Sequence, residues 1–229
     1  QQGETLHTAV AFTNISAEPF DSLLFKFRVE SQSGTVKTYI QKLPPLAAGD
    51  SIHAELHTPT LPFQGPQRLL MEANPDDNQP EWYHFNNVLL HDFYVERDFR
   101  NPLLDITFDG QHILNGDLIS PEPVITLTLK DENRYLAVAD SGTFSITVVR
   151  PDGTQQTLEQ NDPSLLFFPA DGSNLPKKNL ARLEWRPKFV QDGTYRLLVN
   201  GRDASGNESS ALDWSVTFQI VTKSSLSNI

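Results

Sequence analysis

Hydrophobic residues recur at every second position along most of the chain, and residues 191 to 221 show this pattern most clearly. Tyr195, Leu197 and Val199 share one parity, whereas Arg196, Leu198 and Asn200 share the other. Period-two spacing of aromatic and branched residues is typical of a half-buried β-strand. The loop Asp203–Asn207 then leads into a second alternating run, Ala211–Val221. In that run the inward parity comprises Leu212, Trp214, Val216, Phe218 and Ile220. These residues predict a strand–loop–strand unit that closes a β-sandwich.

The first half of the chain repeats the alternation in short segments that are separated by turn residues. Predicted strands include the segments 8–13, 20–30, 35–43, 51–57, 68–74 and 88–96. Residues 88–96 place Leu89, Phe93 and Val95 inward, and residues 112–114 suggest a short hairpin. About seven strands in about a hundred residues make one sandwich. The prediction is therefore an all-β chain with two tandem Ig-like β-sandwich domains, 1–98 and 103–222. We expect residues 98–102 to act as a linker, and residues 223–229 to form a tail that leads to a missing C-terminal domain.

Composition excludes several classes of function. The formal net charge of −11 argues against nucleic acid and anionic membranes as partners. No apolar run approaches the roughly 20 residues that span a bilayer, so membrane insertion is not expected. Cysteine is absent, which excludes disulfides, thiolate catalysis and cysteine-bound zinc within these residues.

Acidic and amide side chains cluster in the predicted loops and strands of the second domain. Asp105, Asp109, Asp131, Asp203 and Asn207 carry the hard oxygen ligands that calcium takes, often from several loops at once. Calcium is the one cofactor that these residues suggest. The alternative is that they only cap turns and keep the surface polar.

Two aromatic residues stand side by side in a predicted loop of the first domain. Trp82 and Tyr83 follow Pro80-Glu81, and exposed aromatic rings in a loop can stack on a sugar or anchor a partner protein. The alternative is that both rings fold back over the edge of the sandwich.

No arrangement of residues predicts catalysis. His53 and His57 lie four positions apart on one predicted strand, which separates them by about 13 Å, too far to share a metal ion. A GxSxG motif is absent. The expectation is that the segment is not an enzyme and has no catalytic residues.

The first domain resembles the CARDB family, an Ig-like, adhesion-related domain of bacteria. The matching segments are Val10–Asn14, Leu46–Ser51, Glu72–Asn78 and Phe85–Val88. Together they span nearly the whole domain. An acidic residue commonly precedes the final asparagine pair in that family, whereas this chain has His84-Phe85 there.

The second domain resembles the Ig-like domain downstream of the catalytic region in gingipain-like cysteine peptidases of Bacteroidetes. That family includes the sortase of the type IX secretion system. The matching segments are Asp105–Gly110, Ile119–Pro123, Leu129–Asn133 and Gln191–Tyr195. The resemblance implies a non-catalytic segment, because the catalytic cysteine and histidine of the family lie elsewhere.

Two tripeptides look like O-glycosylation acceptors of Bacteroidetes. Asp21-Ser22-Leu23 and Asp50-Ser51-Ile52 have the Asp-Ser-hydrophobic pattern, so Ser22 and Ser51 are the candidate acceptors. The alternative is that both are ordinary turn residues at strand starts.

These observations together predict an accessory or scaffold segment that acts as a spacer or protein-docking module. The resemblance implies a place outside the cell or on the outer-membrane surface of a Gram-negative bacterium. Its partners would be proteins of the secretion or envelope machinery. The alternative function is a carbohydrate-binding or adhesion module, with glycans as partners and calcium as a stabiliser.

Overall fold

A computed structural model describes residues 1–79, 81 and 83–222, and it separates into two compact units, Gln1–Arg97 and Asp98–Ile229. Each unit contains antiparallel sheets around its own hydrophobic core. The predicted all-β, sandwich-type fold is therefore confirmed. The predicted tail, 223–229, lies outside the described residues.

Within residues 1–79, 81 and 83–97, the first unit has six strands: β1 Thr5–Thr13, β2 Leu23–Ser31, β3 Val36–Leu43, β4 Ser51–Pro59, β5 Gly65–Ala73 and β6 Val88–Val95. A four-stranded sheet has the order β3-β2-β5-β6, and β1 pairs with β4 in a second sheet. A single 3-10 turn, Phe85–Asn87, precedes β6.

The core of the first unit follows the alternation in the sequence. Phe25, Phe27 and Val29 of β2 are almost completely buried, and Leu69 and Met71 of β5 lie on the same side of the sheet. Phe25 and Phe27 pack with their ring centroids 5.4 Å apart. Burying one such side chain contributes roughly 1.5–3 kcal/mol, so the inward parity of these strands fixes the register.

The described part of the second unit, residues 98–222, has nine strands: β7 Leu103–Phe108, β8 Asp117–Ile119, β9 Ile125–Lys130, β10 Phe144–Val149, β11 Gln155–Thr157, β12 Leu165–Phe168, β13 Leu180–Trp185, β14 Gly193–Gly201 and β15 Trp214–Ile220. Its sheets have the orders β11-β10-β14-β15-β8 and β12-β13-β9-β7. All pairings are antiparallel except that of β8 with β15.

Aromatic rings from both sheets meet in the core of the second unit. Tyr195 stacks on Phe218 at 5.8 Å, and Phe108 and Phe189 each meet Phe218 at 5.5 Å. Trp185, on β13, is also buried. The strand β14 thus fills the position in the core that its pattern indicated.

Several local predictions are wrong. Leu212 is 79% exposed because β15 begins only at Trp214, which is itself partly buried. Leu89 is 48% exposed because β6 is an edge strand with a neighbour on one side only. Residues 112–114 form no hairpin strands, and the short strand Asp117–Ile119 follows them instead.

Within the residues that the structure describes, no helix has the length and hydrophobicity required to cross a bilayer.

Candidate functional site

Three buried aspartates meet at one end of the second unit. Asp98 precedes β7, Asp131 directly follows β9, and Asp203 follows β14. Each is at most 5% exposed, and one carboxylate oxygen from each lies within 4.8 Å of the others. The strand register explains part of this meeting, since Leu103 pairs with Lys130 and brings the start of β7 to the end of β9.

An asparagine amide accompanies each of the three carboxylates. Asn133 donates to Asp98 at 2.6 Å, Asn179 donates to Asp131 at 3.2 Å, and Asn207 donates to Asp203 at 2.9 Å. The first two asparagines are also buried. Buried charged groups are tolerated only when hydrogen bonds replace the lost water. The asparagines therefore supply part of what solvation would give.

The loop after β14 wraps around its own aspartate. Asp203 Oδ1 accepts hydrogen bonds from the backbone N–H groups of Ser205 and Asn207, both at 2.8 Å. Gly206 adopts a left-handed conformation in this loop, with φ at +88°. Asn207 also donates to the backbone carbonyl of Asp98 at 3.1 Å. The loop thus links β14 to the segment that enters β7.

The electrostatics of the cluster are unfavourable to full ionisation. Burial, followed by the nearby charge of Asp203, raises the pKa of the Asp131 carboxyl to about 6, and Asp98 adds to this shift. Desolvation and like charges both disfavour a carboxylate. At neutral pH the cluster therefore carries negative charge that a bound cation or a proton would relieve.

The cluster offers ligands of the type that calcium prefers. Calcium takes six to eight oxygens, from carboxylates, carbonyls and water, and the three aspartates would supply the charged part of such a set. The same side chains also tie three loops together through their amide partners. The positions of Asp131, Asp203 and Asn207 are consistent with calcium binding and with a structural role in holding the loops together.

Two of the predicted calcium ligands lie away from this cluster. Asp105 is exposed in the middle of β7, and its Oδ1 lies 2.7 Å from His112 Nε2. Asp109 follows the far end of β7, and its Oδ1 accepts a hydrogen bond from the backbone of Val124. The structure therefore brings together Asp131, Asp203 and Asn207, but not Asp105 and Asp109.

Sequence reasoning did not include Asp98 among the candidate ligands, because it placed that residue in a linker. A signal was present, since Asp98 stands a short distance before the first strand of the second domain and Asp131 directly follows a neighbouring strand, β9. Pairing β7 with β9 in antiparallel register would have brought the two residues together.

The predicted aromatic contact residues belong to the connection between β5 and β6. Trp82 lies outside the described residues. Tyr83 is 66% exposed, and its ring packs edge-on against Phe85, with centroids 5.8 Å apart. Tyr83 is therefore open to solvent rather than folded back over the sandwich.

The two candidate acceptor serines differ in exposure. Ser22 is partly buried immediately before β2. Ser51 is exposed at the start of β4, where its hydroxyl forms a hydrogen bond of 2.7 Å with that of Thr13. O-glycosylation at either serine stays a prediction.

Neither a family model nor a curated protein sequence matches the chain. Solved structures include a match to dimeric latent PorU from Porphyromonas gingivalis, with a TM-score of 0.39 and 11% identity over 87% of this chain. The chain spans only 20% of that PorU structure. Another match is the C-terminal domain of the Streptococcus pyogenes antigen I/II-family protein AspA, with a TM-score of 0.29 and 9% identity. It covers 94% of this chain and 92% of that domain. These are weak similarities of fold.

Proposed function

We propose that this chain is a non-catalytic accessory segment of a larger secreted or cell-surface bacterial protein. It serves as a spacer or as a protein-docking module for the secretion or envelope machinery. The parent protein is a gingipain-like peptidase associated with type IX secretion, as the sequence resemblance implies. The segment works outside the cell or on the outer-membrane surface.

The observation that supports this proposal is the presence of two consecutive β units, each with a hydrophobic core of its own. The first core is built from residues such as Phe27 and Leu69, and the second from residues such as Leu127 and Phe218. β-Sandwiches with separate cores serve as modules because their loops gather at the ends of a stiff scaffold. A function of spacing or presentation needs only this stiffness.

Replacing the segment within its parent protein tests the proposal. One strain carries an unrelated pair of β-sandwiches of equal length in place of residues 1–222, and a second strain carries no replacement. A spacer predicts that surface display of the parent survives replacement but not deletion. A docking module predicts that both changes abolish display. Normal display after simple deletion contradicts the proposal, and so does hydrolysis of peptides by the purified segment.

A second candidate function, a calcium-stabilised adhesion module, is favoured by the buried cluster of Asp98, Asp131 and Asp203. Calcium would neutralise carboxylates that burial has brought within 4.8 Å of one another. Calcium binding to the folded state alone raises the melting temperature.

The test is calorimetry of the full chain in chelator and in calcium. Asp203→Asn should abolish the calcium-dependent rise in melting temperature, while the exposed Asp105→Asn should leave it intact. An equal rise in both variants would place any bound calcium elsewhere.

A further inference from the structure

A small groove lies in the first unit, beside the end of β1. Its volume is about 220 Å³, and its walls include Phe12, Asn14 and Ile15 on one side and Glu81 and Tyr83 on the other. Asn86 and Asn87 complete the second wall. The groove is separate from the aspartate cluster, because all of its lining residues belong to the first unit.

Glu81 leaves one carboxylate oxygen without a partner in this groove. Its side chain is only 8% exposed. Oε2 accepts a short hydrogen bond from Asn87, whereas the buried Oε1 has no hydrogen-bond partner among the described residues. An unsatisfied buried acceptor destabilises a fold by about 1–3 kcal/mol, and by more when it is charged. A ligand that donates a hydrogen bond to Oε1 would remove this penalty.

Apolar side chains at the groove are unusually open to water. Ile15 is 78% exposed and Tyr83 is 66% exposed, and both line the groove. Phe85, whose ring centroid lies 5.8 Å from that of Tyr83, is 81% exposed. Contiguous exposed apolar groups mark binding surfaces. The flat faces of these rings suit a ligand that presents C–H groups.

Internal hydrogen bonds hold the loops around the groove in place. Asn14 donates to the carbonyl of Glu18 and accepts from the backbone N–H of Ser16. Asn74 closes the start of the β5–β6 connection by donating to, and accepting from, the backbone of Gln79. These hydrogen bonds fix the backbone that leads into each wall of the groove, and preorganisation of this kind lowers the entropy lost on binding.

We propose that this groove binds the ring of a neutral saccharide. A sugar hydroxyl donates to Glu81 Oε1, a C–H face of the ring packs on Tyr83, and the amide of Asn86 serves a further hydroxyl as donor or acceptor. The lining suits a saccharide because neutral amides and hydroxyls surround Glu81: those of Asn14, Asn86, Asn87, Thr13 and Ser16. The inference does not rest on the proposed spacer function.

Binding of the full chain to an array of neutral glycans, ending in glucose, galactose or N-acetylglucosamine, tests this inference. Titration of the best soluble oligosaccharide follows. Tyr83→Ala should weaken binding about tenfold, the equivalent of about 1.4 kcal/mol. The matched control is Tyr94→Ala, because Tyr94 is a 68% exposed tyrosine of the same unit on β6. The control should stay within about twofold of the unchanged chain.

Glu81→Gln tests the role of Oε1 without creating a cavity, because glutamate and glutamine have nearly the same shape. The glutamine oxygen can still accept from Asn87, which leaves an N–H₂ group where Oε1 stood. We expect binding to fall about tenfold with an unchanged melting temperature. The inference is wrong if no glycan on the array binds the chain. It is also wrong if Tyr83→Ala and Glu81→Gln both retain binding. Binding confined to sialylated glycans or to oligolysine peptides overturns it as well.

Discussion

The two units place buried carboxylates in opposite circumstances. In the second unit, Asp98, Asp131 and Asp203 each accept a hydrogen bond from an asparagine side chain. In the first unit, the buried side chain of Glu81 has one bonded oxygen and one that has no hydrogen-bond partner among the described residues. The three aspartates receive their hydrogen bonds from the protein itself, and what stays uncompensated is their negative charge. Within the same described residues, Glu81 lacks a donor for its other oxygen.

This difference separates two uses of a buried acid. In the second unit, amide donors bond to the clustered carboxylates, and these hydrogen bonds hold the loops together. The negative charge of the cluster stays uncompensated, so we expect it to bind protons or cations. The lone carboxylate of Glu81, which lines a groove, can instead accept a hydrogen bond from a ligand. Mutations that remove charge should therefore affect the second unit most, and mutations that alter hydrogen bonding should affect the groove of the first.

Truncation of the cores should have the largest effects and should show which unit each residue stabilises. Phe218→Ala removes the ring that contacts Tyr195 and Phe108, and Phe27→Ala removes a ring that is 1% exposed. Each should lower stability by about 3–5 kcal/mol. Hydrogen exchange should show faster opening of β14 and β15 in the first case, and of β2 and β5 in the second. Exchange that accelerates equally in both units contradicts the separation of the cores.

Removal of an amide partner should have the next largest effect. Asn179 is 1% exposed, donates to Asp131 and accepts from the backbone of Val138. Asn179→Ala leaves several buried polar groups unsatisfied and should lower stability by on the order of 3 kcal/mol. Asn87→Ala should lower it by on the order of 1–2 kcal/mol, because the side chain of Asn87 makes one hydrogen bond within the described part of the chain, to Glu81. Urea denaturation measures both, and the reverse order would contradict this account.

The pH dependence of the second unit should reveal the charge of its cluster. The raised pKa of Asp131, about 6, exceeds the value of about 3.9 in an unfolded chain. The folded state therefore binds the proton more tightly, and without calcium its stability should fall as pH rises from about 4 to about 6. The expected loss is on the order of 1–3 kcal/mol.

Asp131→Asn is the control for this titration, because the amide carries no charge to repel its neighbours. It should flatten the slope in this pH range and should be more stable than the unchanged chain at neutral pH in chelator. Unfolding curves at a series of pH values measure the difference. An unchanged slope in Asp131→Asn would assign the titration to another group.

A surface change should have the smallest effect. Ser51→Ala removes an exposed hydroxyl whose one hydrogen bond among the described residues is to the hydroxyl of Thr13, so stability should change by less than about 0.5 kcal/mol. The same variant tests the glycosylation prediction. Intact mass of the protein secreted by its own host should fall by the mass of a glycan if Ser51 is an acceptor. An unaltered glycan mass in the variant would exclude this serine.

The hydrophobic pattern predicts the buried residues of a strand correctly where the core covers one face of that strand. The alternation in β2 and β14 placed Phe25, Phe27, Tyr195 and Leu197 in the cores, where the structure has them. The same logic failed at Leu89 and Leu212, because parity gives the face of a strand but not whether another layer covers it. An edge strand and a strand that starts late both leave inward residues exposed.

The candidate sites depended on contacts between distant segments. Asp131 and Asp203 were identified as potential ligands, but Asp98 joins them only because the start of β7 pairs with the end of β9. Tyr83 was identified as an aromatic contact residue, but the groove beside it exists because the loop after β1 lies against the β5–β6 connection. Sequence spacing carries no information on such meetings.

The amino-acid sequence by itself determined the β class, the strand faces and the acidic character of the chain, because these follow from side-chain period and composition. Only the tertiary structure decided which carboxylates share a site and which one lacks a partner. Burial and pairing across sheets set those outcomes, and both depend on residues that are far apart in the chain, as Asn207 and Asp98 are at 109 positions.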